Sequence, residues 1–205
     1  MKISRVLSIV FSGLILAALV WYLQAVFLWD PLEGKEAHLG KIREALDLMA
    51  VEEASWKTEV IAVTKETDVS RERLWARWAD LERWPEWSKP LHISTRWLDT
   101  PGWRQGVRFE QTLDLGFPAG RTVSLETVWE VTPEKSAIWW KSAGGTKACH
   151  IWTFESLPGG RTRVTDVEVF HGNVVGFLKP FVGERWQRLF ESSVDGLVRS
   201  AAKAN

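Results

Sequence analysis

The residues of this chain that could do chemistry are few. Cys149 and His150 are adjacent, Asp166 and His171 follow, and His38 and His92 stand alone. A cysteine beside a histidine suggests a nucleophile and its base, but both fall in an extended segment, where neighbouring side chains point to opposite faces; they cannot form a pair there. His150 and Asp166 are separated by a hairpin turn, so a cross-strand contact between them could move a proton in general acid–base work. The plainer alternative is a surface His and Asp on an antiparallel pair. The four histidines show no HxxxH spacing and the chain has one cysteine, which removes a helical zinc motif, a multi-cysteine metal site and an internal disulfide. No GxSxG, GxGxxG or P-loop is present, so the common hydrolase, dinucleotide and nucleotide chemistries are excluded. No metal, cofactor or catalytic residue is therefore assigned.

Positioning falls to an α+β domain. Residues 57–69 alternate and are rich in Val, Ile and Thr, a strand pattern. Ser70 caps a helix with Leu74, Trp75, Trp78 and Leu81 on one face, and Pro85 ends it. Strands follow at 92–98, 107–115, 121–131, 137–142, 147–157 and 162–172, separated by Gly/Pro turns, which predicts an antiparallel meander. Alternation places Val107, Phe109, Leu113 and Leu115 on a covered face with Arg108, Glu110 and Asp114 opposite. The same reading covers Val123, Leu125, Trp129 and Val131 and leaves Thr122, Ser124, Glu126 and Glu130 wet. Arg96, Arg108 and Lys141 are expected on the solvated face. Over 177–203 an apolar stripe of Phe181, Val182, Trp186, Leu189, Phe190, Val194, Leu197 and Ala201 predicts a long helix as the cover, with Lys179 off the stripe and Pro180 in the first turn.

Composition bounds the function. Lys+Arg and Asp+Glu are 26 each in 205 residues, which argues against a non-specific nucleic-acid partner. Tryptophan is the anomaly, 14 against a single tyrosine. From Val6 to Trp29 there is no charge. As a helix rising ~1.5 Å per residue this run spans ~36 Å, enough for a membrane anchor. Bulky residues at the polar boundary FLWDPLEG do not suit a signal cleavage site. The positive leader, Lys2 and Arg5, places the domain on the non-cytoplasmic side. The organisation expected is an anchor at 1–29, a connector at 30–56 and a domain at 57–205. In the connector Leu39, Ile42, Leu46 and Met49 mark a short amphipathic helix that docks on its own domain or the membrane surface; a dimerising coiled coil would need a longer repeat.

From about residue 57 onward the chain resembles the START-like helix-grip superfamily, in its polyketide cyclase/dehydrase and lipid-transport branch. Many members end their first strand in I-x-A-P-x-E-x-V-W, followed by an Asp and a later Trp. Here the register gives Thr67, Val69, Ser70, Glu72, Leu74, Trp75, then Asp80, Trp84 and Trp87. Thr67 and Ser70 depart from the usual Ile and Pro. Glu72, Leu74, Trp75, Asp80 and the Trp87-Ser88-Lys89-Pro90 turn match. Pro158 to Val164 is similar to the hairpin before the family's last strand, and 177–203 stands where it has its gripping helix. The resemblance implies a curved antiparallel sheet around that helix, with a hydrophobic small molecule (a lipid, isoprenoid or polycyclic compound) held between them. Candidates for the lining are Trp97, Phe109, Trp129, Trp140, Trp152, Trp186 and Phe190, with Gln111 and Thr127 as polar groups. The same rings could simply fill the core. Three functions stay open: a membrane-anchored ligand binder, a cyclase/dehydratase-like enzyme, and a tethered scaffold with a filled interior and an exposed apolar patch.

Overall fold

A computed structural model describes residues 2–143 and 145–203, with side chains over 11–142 and 145–203. Helix α1 (Lys2–Phe27) leads through a 3-10 turn to α2 (Leu39–Leu48). Strand β1 (Thr58–Thr67) is followed by α3 (Arg71–Ala79), a 3-10 turn at Leu81–Arg83 and the short α4 (Trp84–Trp87). Six strands come next: β2 (His92–Trp97), β3 (Arg108–Asp114), β4 (Arg121–Thr132), β5 (Ser136–Ala143), β6 (Thr146–Ser156) and β7 (Thr162–His171). The last element is α5 (Asn173–Lys203). All seven strands form one antiparallel sheet in the order β1-β7-β6-β5-β4-β3-β2, so hairpins join sequence neighbours and only β1 travels, to the edge beside β7.

Two apolar layers hold this sheet. On one face α3, α4 and α5 pack over Ile61, Phe109, Val128, Trp139, Trp152 and Phe170. On the other, Ile42, Ala45, Leu46 and Met49 of the connector cover Val60, Ala62, Ile138, Cys149, Ile151, Val167 and Val169. The connector helix thus docks on its own domain, because strands covered on both faces read apolar at odd and even positions alike. Ser70 caps α3 by accepting from the Arg73 N–H at 3.4 Å. Ser70→Ala is expected to lower stability by about 0.5–1 kcal/mol, measured as a small drop in the unfolding midpoint.

Helix α5 begins at Asn173, so Pro180 lies inside it rather than in its first turn. The upstream residues are drawn into the helix by packing: Val175 is buried, and a Cβ on Gly176 would come within 2.6 Å of the Trp56 ring. The stripe over its first turns is rotated from expectation as well. Phe181 is 58% exposed, whereas Lys179 is buried and donates to the Thr58 carbonyl at 3.4 Å. Farther along, Gly196 lets α5 touch α4, since a Cβ there would stand 1.8 Å from the Trp87 carbonyl oxygen. Among the described residues no helix is long and apolar enough to cross a membrane; the span expected over 6–29 lies in part, at 6–10, outside the described side chains.

Candidate functional site

The interior between the sheet and α5 is built from rings. Trp78, Trp84, Trp139, Trp152, Phe109, Phe154 and Phe190 are almost wholly buried, and Trp78 stacks on Trp103 with centroids 4.3 Å apart. Trp84 Nε1 donates to the Trp78 carbonyl at 2.6 Å and fixes one ring against the next. Two grooves lie on the surface beside this layer. One of about 580 Å³ is lined by Arg73, Arg77, Arg83, Glu86 and Ser200; another of about 480 Å³ lies between α2 and Trp129. Beneath α5 the chain's own aromatic side chains pack closely against one another.

Polar groups are set into this ring-lined layer. Ser193 of α5 shares a hydrogen bond with Ser88 at 2.6 Å, and Ser88 with His92 Nδ1 at 2.6 Å. His92 Nε2 faces Gln111 Oε1 at 3.0 Å, and Gln111 Nε2 donates to Glu126 Oε1 at 2.9 Å. Ser124 Oγ donates to the same carboxylate, and Lys141 Nζ stands 3.5 Å from it. A second group lies on β6 and β7. The register sets His150 opposite Glu168 and Trp152 opposite Asp166. His150 Nε2 contacts Asp166 and lies 2.9 Å from Trp152 Nε1, while Nδ1 is 3.5 Å from Glu168. The surface reading of this pair is corrected: His150 and Asp166 are 5% and 1% exposed.

Burial sets the electrostatics. Loss of solvent raises Asp166, offset in part by His150. For His150 burial acts downward but is outweighed by Asp166 and Glu168, so its pKa is raised. Burial lifts Glu168 to about 7 against the pull of His150 and Lys141. It holds His92 at about 3, neutral, against the Gln111 hydrogen bond. At the β1 end Glu59 is likewise raised to about 7, chiefly by burial, and one of its oxygens has no partner. Cys149 faces α2, on the side of the sheet away from His150, and burial pushes its thiol up, which makes it a poor nucleophile. Among the described residues the buried indole N–H groups of Trp78, Trp87 and Trp186 also lack partners, as does Asp166 Oδ2.

Six of the nine expected lining residues reach this layer: Phe109, Gln111, Trp152, Trp186 and Phe190 are buried, and Trp97 packs at its edge. Thr127, Trp129 and Trp140 do not. Thr127 pairs with Trp140 on the opposite face, where Trp140 packs against the α2 cluster, and Trp129, in the β4 bulge, is 44% exposed. The reason is parity. Ser124, Glu126 and Val128 point inward, leaving Val123 and Leu125 about 60% exposed, because the inner face of β4 serves the polar chain. Arg96 and Arg108 are solvated, as expected, while Lys141 is mostly covered beside Glu126. Glu126, Glu168, His92 and Ser193 were not legible as site residues; alternation alone marked Glu126 as wet, and only Asp166-x-Glu168 on one parity of β7 hinted at a cluster.

Residues 58–202 match the family described as polyketide cyclase / dehydrase and lipid transport. No curated protein matches the chain. Among solved structures, a hypothetical protein of Helicobacter pylori is similar at 18% identity and TM-score 0.60, over 70% of this chain and 88% of its own. The Zhui aromatase/cyclase of Streptomyces sp. R1128 is similar at 12% identity and TM-score 0.58, covering 71% and 94%. A START superfamily protein of Mycobacterium smegmatis is similar at 14% identity and TM-score 0.55, covering 71% and 99%. These likenesses extend to the fold.

Proposed function

Because the chain belongs to the polyketide cyclase / dehydrase and lipid transport family, within the START-like helix-grip superfamily, we propose that it binds a hydrophobic small molecule between its sheet and α5. The observation that carries this reading is a polar chain buried among aromatic rings. A core built only for stability would be apolar there, since each buried carboxylate costs free energy that packing alone does not return. His150, Asp166, Glu168, Glu126 and Gln111 supply a few polar groups in an apolar wall, and the indole N–H groups of Trp78, Trp87 and Trp186 are donors left for a guest. Aromatic rings crowd this space, and a guest enters by parting them. In the same reading residues 6–29 anchor the protein in a bilayer, with the domain on the non-cytoplasmic side, and the tether concentrates the binder where an apolar ligand dissolves. Supporting this is the uncharged run Val6–Trp29.

Native mass spectrometry of the full chain, released in membrane patches without detergent, tests the proposal. The expected result is one apolar molecule per chain, or uptake of an added polycyclic fluorophore with a blue shift that Phe109→Asp abolishes. A chain that carries nothing and takes up nothing overturns it. Two other readings each have an observation of their own. The buried His150–Asp166 pair, next to Trp152, suits general acid work on a cyclising or dehydrating substrate. The exposed Val123, Leu125 and Trp129 suit a tethered scaffold instead.

A further inference from the structure

One end of the sheet gathers several chain segments. The pairs Asp114–Arg121, Ser142–Lys147 and Thr58–His171 place there the β3–β4 turn, the β5–β6 turn and the β7–α5 junction. Helix α1 arrives at the same end. Its Tyr22 ring stacks on Phe181 at 5.5 Å and its hydroxyl donates to the Phe177 carbonyl at 3.1 Å. Phe27 packs on Trp56, which meets Phe177, and Val26 is fully buried.

Several of the exposed residues at this end are large and apolar, beside the polar Asn173 and Arg121. On α5, Val174, Phe177 and Phe181 are 55%, 45% and 58% exposed. Lys179, the one charge between Asn173 and Gly183, is turned inward, and the first exposed charge on the helix is Glu184. On the β3–β4 turn Phe117 is 87% exposed, and Gly116 beside it lies against Arg185 of α5. A polar boundary thus crosses α5 between residues 183 and 184.

From these contacts we propose that the sheet end formed by the start of α5 and the Phe117 turn inserts into the interfacial layer of a lipid bilayer beside α1. The proposal rests on the anchor reading of residues 6–29. Depth supports it. Tyr22 lies five residues before the end of α1 at Phe27, about 7.5 Å along the helix, and the aromatics Trp21, Tyr22 and Trp29 suit the water–lipid boundary. Residues 177 and 181, held against Tyr22, then lie at the depth of an interfacial helix, roughly 5–10 Å into the headgroup and acyl boundary. The bilayer is the one occupant continuous with the exposed apolar flank of α1, on which Leu19, Val20, Leu23 and Phe27 are open.

The test places an environment-sensitive fluorophore on single cysteines in the full chain, with Ile15→Cys, Phe117→Cys, Val174→Cys and Glu155→Cys made separately and reconstituted in phosphatidylcholine vesicles. Cys149 is fully buried and stays unlabelled. Position 155 is a control near the far end of β6. Lipid carrying a doxyl quencher near the headgroup is expected to cause loss of emission at 117 and 174, deep-doxyl lipid at 15, and neither at 155. Quenching at 15 without quenching at 117 and 174 overturns the insertion of this end and leaves the anchor standing. No quenching at 15 overturns the anchor and the insertion with it. Quenching at 155 equal to that at 174 overturns a single inserted end.

Discussion

Trp78→Ala is expected to lower stability by about 3–5 kcal/mol, the usual cost of removing a large buried ring from a core that cannot collapse around the space. Trp78 is fully buried, and its centroid lies 5.0 Å from Trp75, 5.6 Å from Trp84 and 5.8 Å from Phe154. It joins α3 to α4, the sheet and Trp103 of the β2–β3 loop, so its loss loosens several elements together. Trp78→Phe is expected to cost much less: a ring remains, and the indole N–H that has no partner is removed. Trp129→Ala should change stability by no more than about 0.5 kcal/mol, since that side chain stands half in solvent. Unfolding midpoints of the three variants in mild detergent check this, and equal losses at 78 and 129 would contradict the assignment of faces.

Glu168→Gln should stabilise the protein at pH 8 and do little at pH 4.5. The carboxyl is 3% exposed, and burial raises it from 4.5 to about 7 in the folded chain. Between these values the folded state binds more protons than the unfolded one, so Glu168's share of stability is complete below pH 4.5 and is lost as pH rises through about 7. A neutral amide escapes that loss, and the gain at pH 8 is about 3 kcal/mol at most. His92 acts in the other sense. Held neutral down to about 3, it costs stability as pH falls below 6.5, where the unfolded imidazole is charged. His92 is common to both proteins and cancels in the comparison. Thermal midpoints of both at the two pH values provide the check; a gap independent of pH would mean that burial does not raise Glu168 in the folded chain.

Much of this architecture was readable from periodicity. Alternation over 107–115 put Phe109, Leu113 and Leu115 inside, where they are, because β3 has a clearly polar opposite face. The short repeat of Leu39, Ile42, Leu46 and Met49 located α2, and the Trp87 turn and the hairpin at 158–164 carried the family. The site was less readable. Gln111 was found as a polar residue on an apolar face, but its partners His92 and Glu126 come from two other strands, and Ser193 from a helix that closes the chain through Ser88.

Sequence alone determined the kind and order of the elements, since a helical period of 3.6 and a strand period of 2 are local properties of the chain. Only the tertiary structure decided which strand face turns inward. In β4 the apolar Val123 and Leu125 stay in solvent and Ser124 and Glu126 go inside. The α2 cluster covers the outer face of β1, β7, β6 and β5 but does not reach these residues of β4, and the inward polar groups find hydrogen-bond partners on other strands. Alternation divides a strand into two sides. Which side is covered depends on what packs against it, and whether a buried charge is tolerated depends on partners far away in the chain.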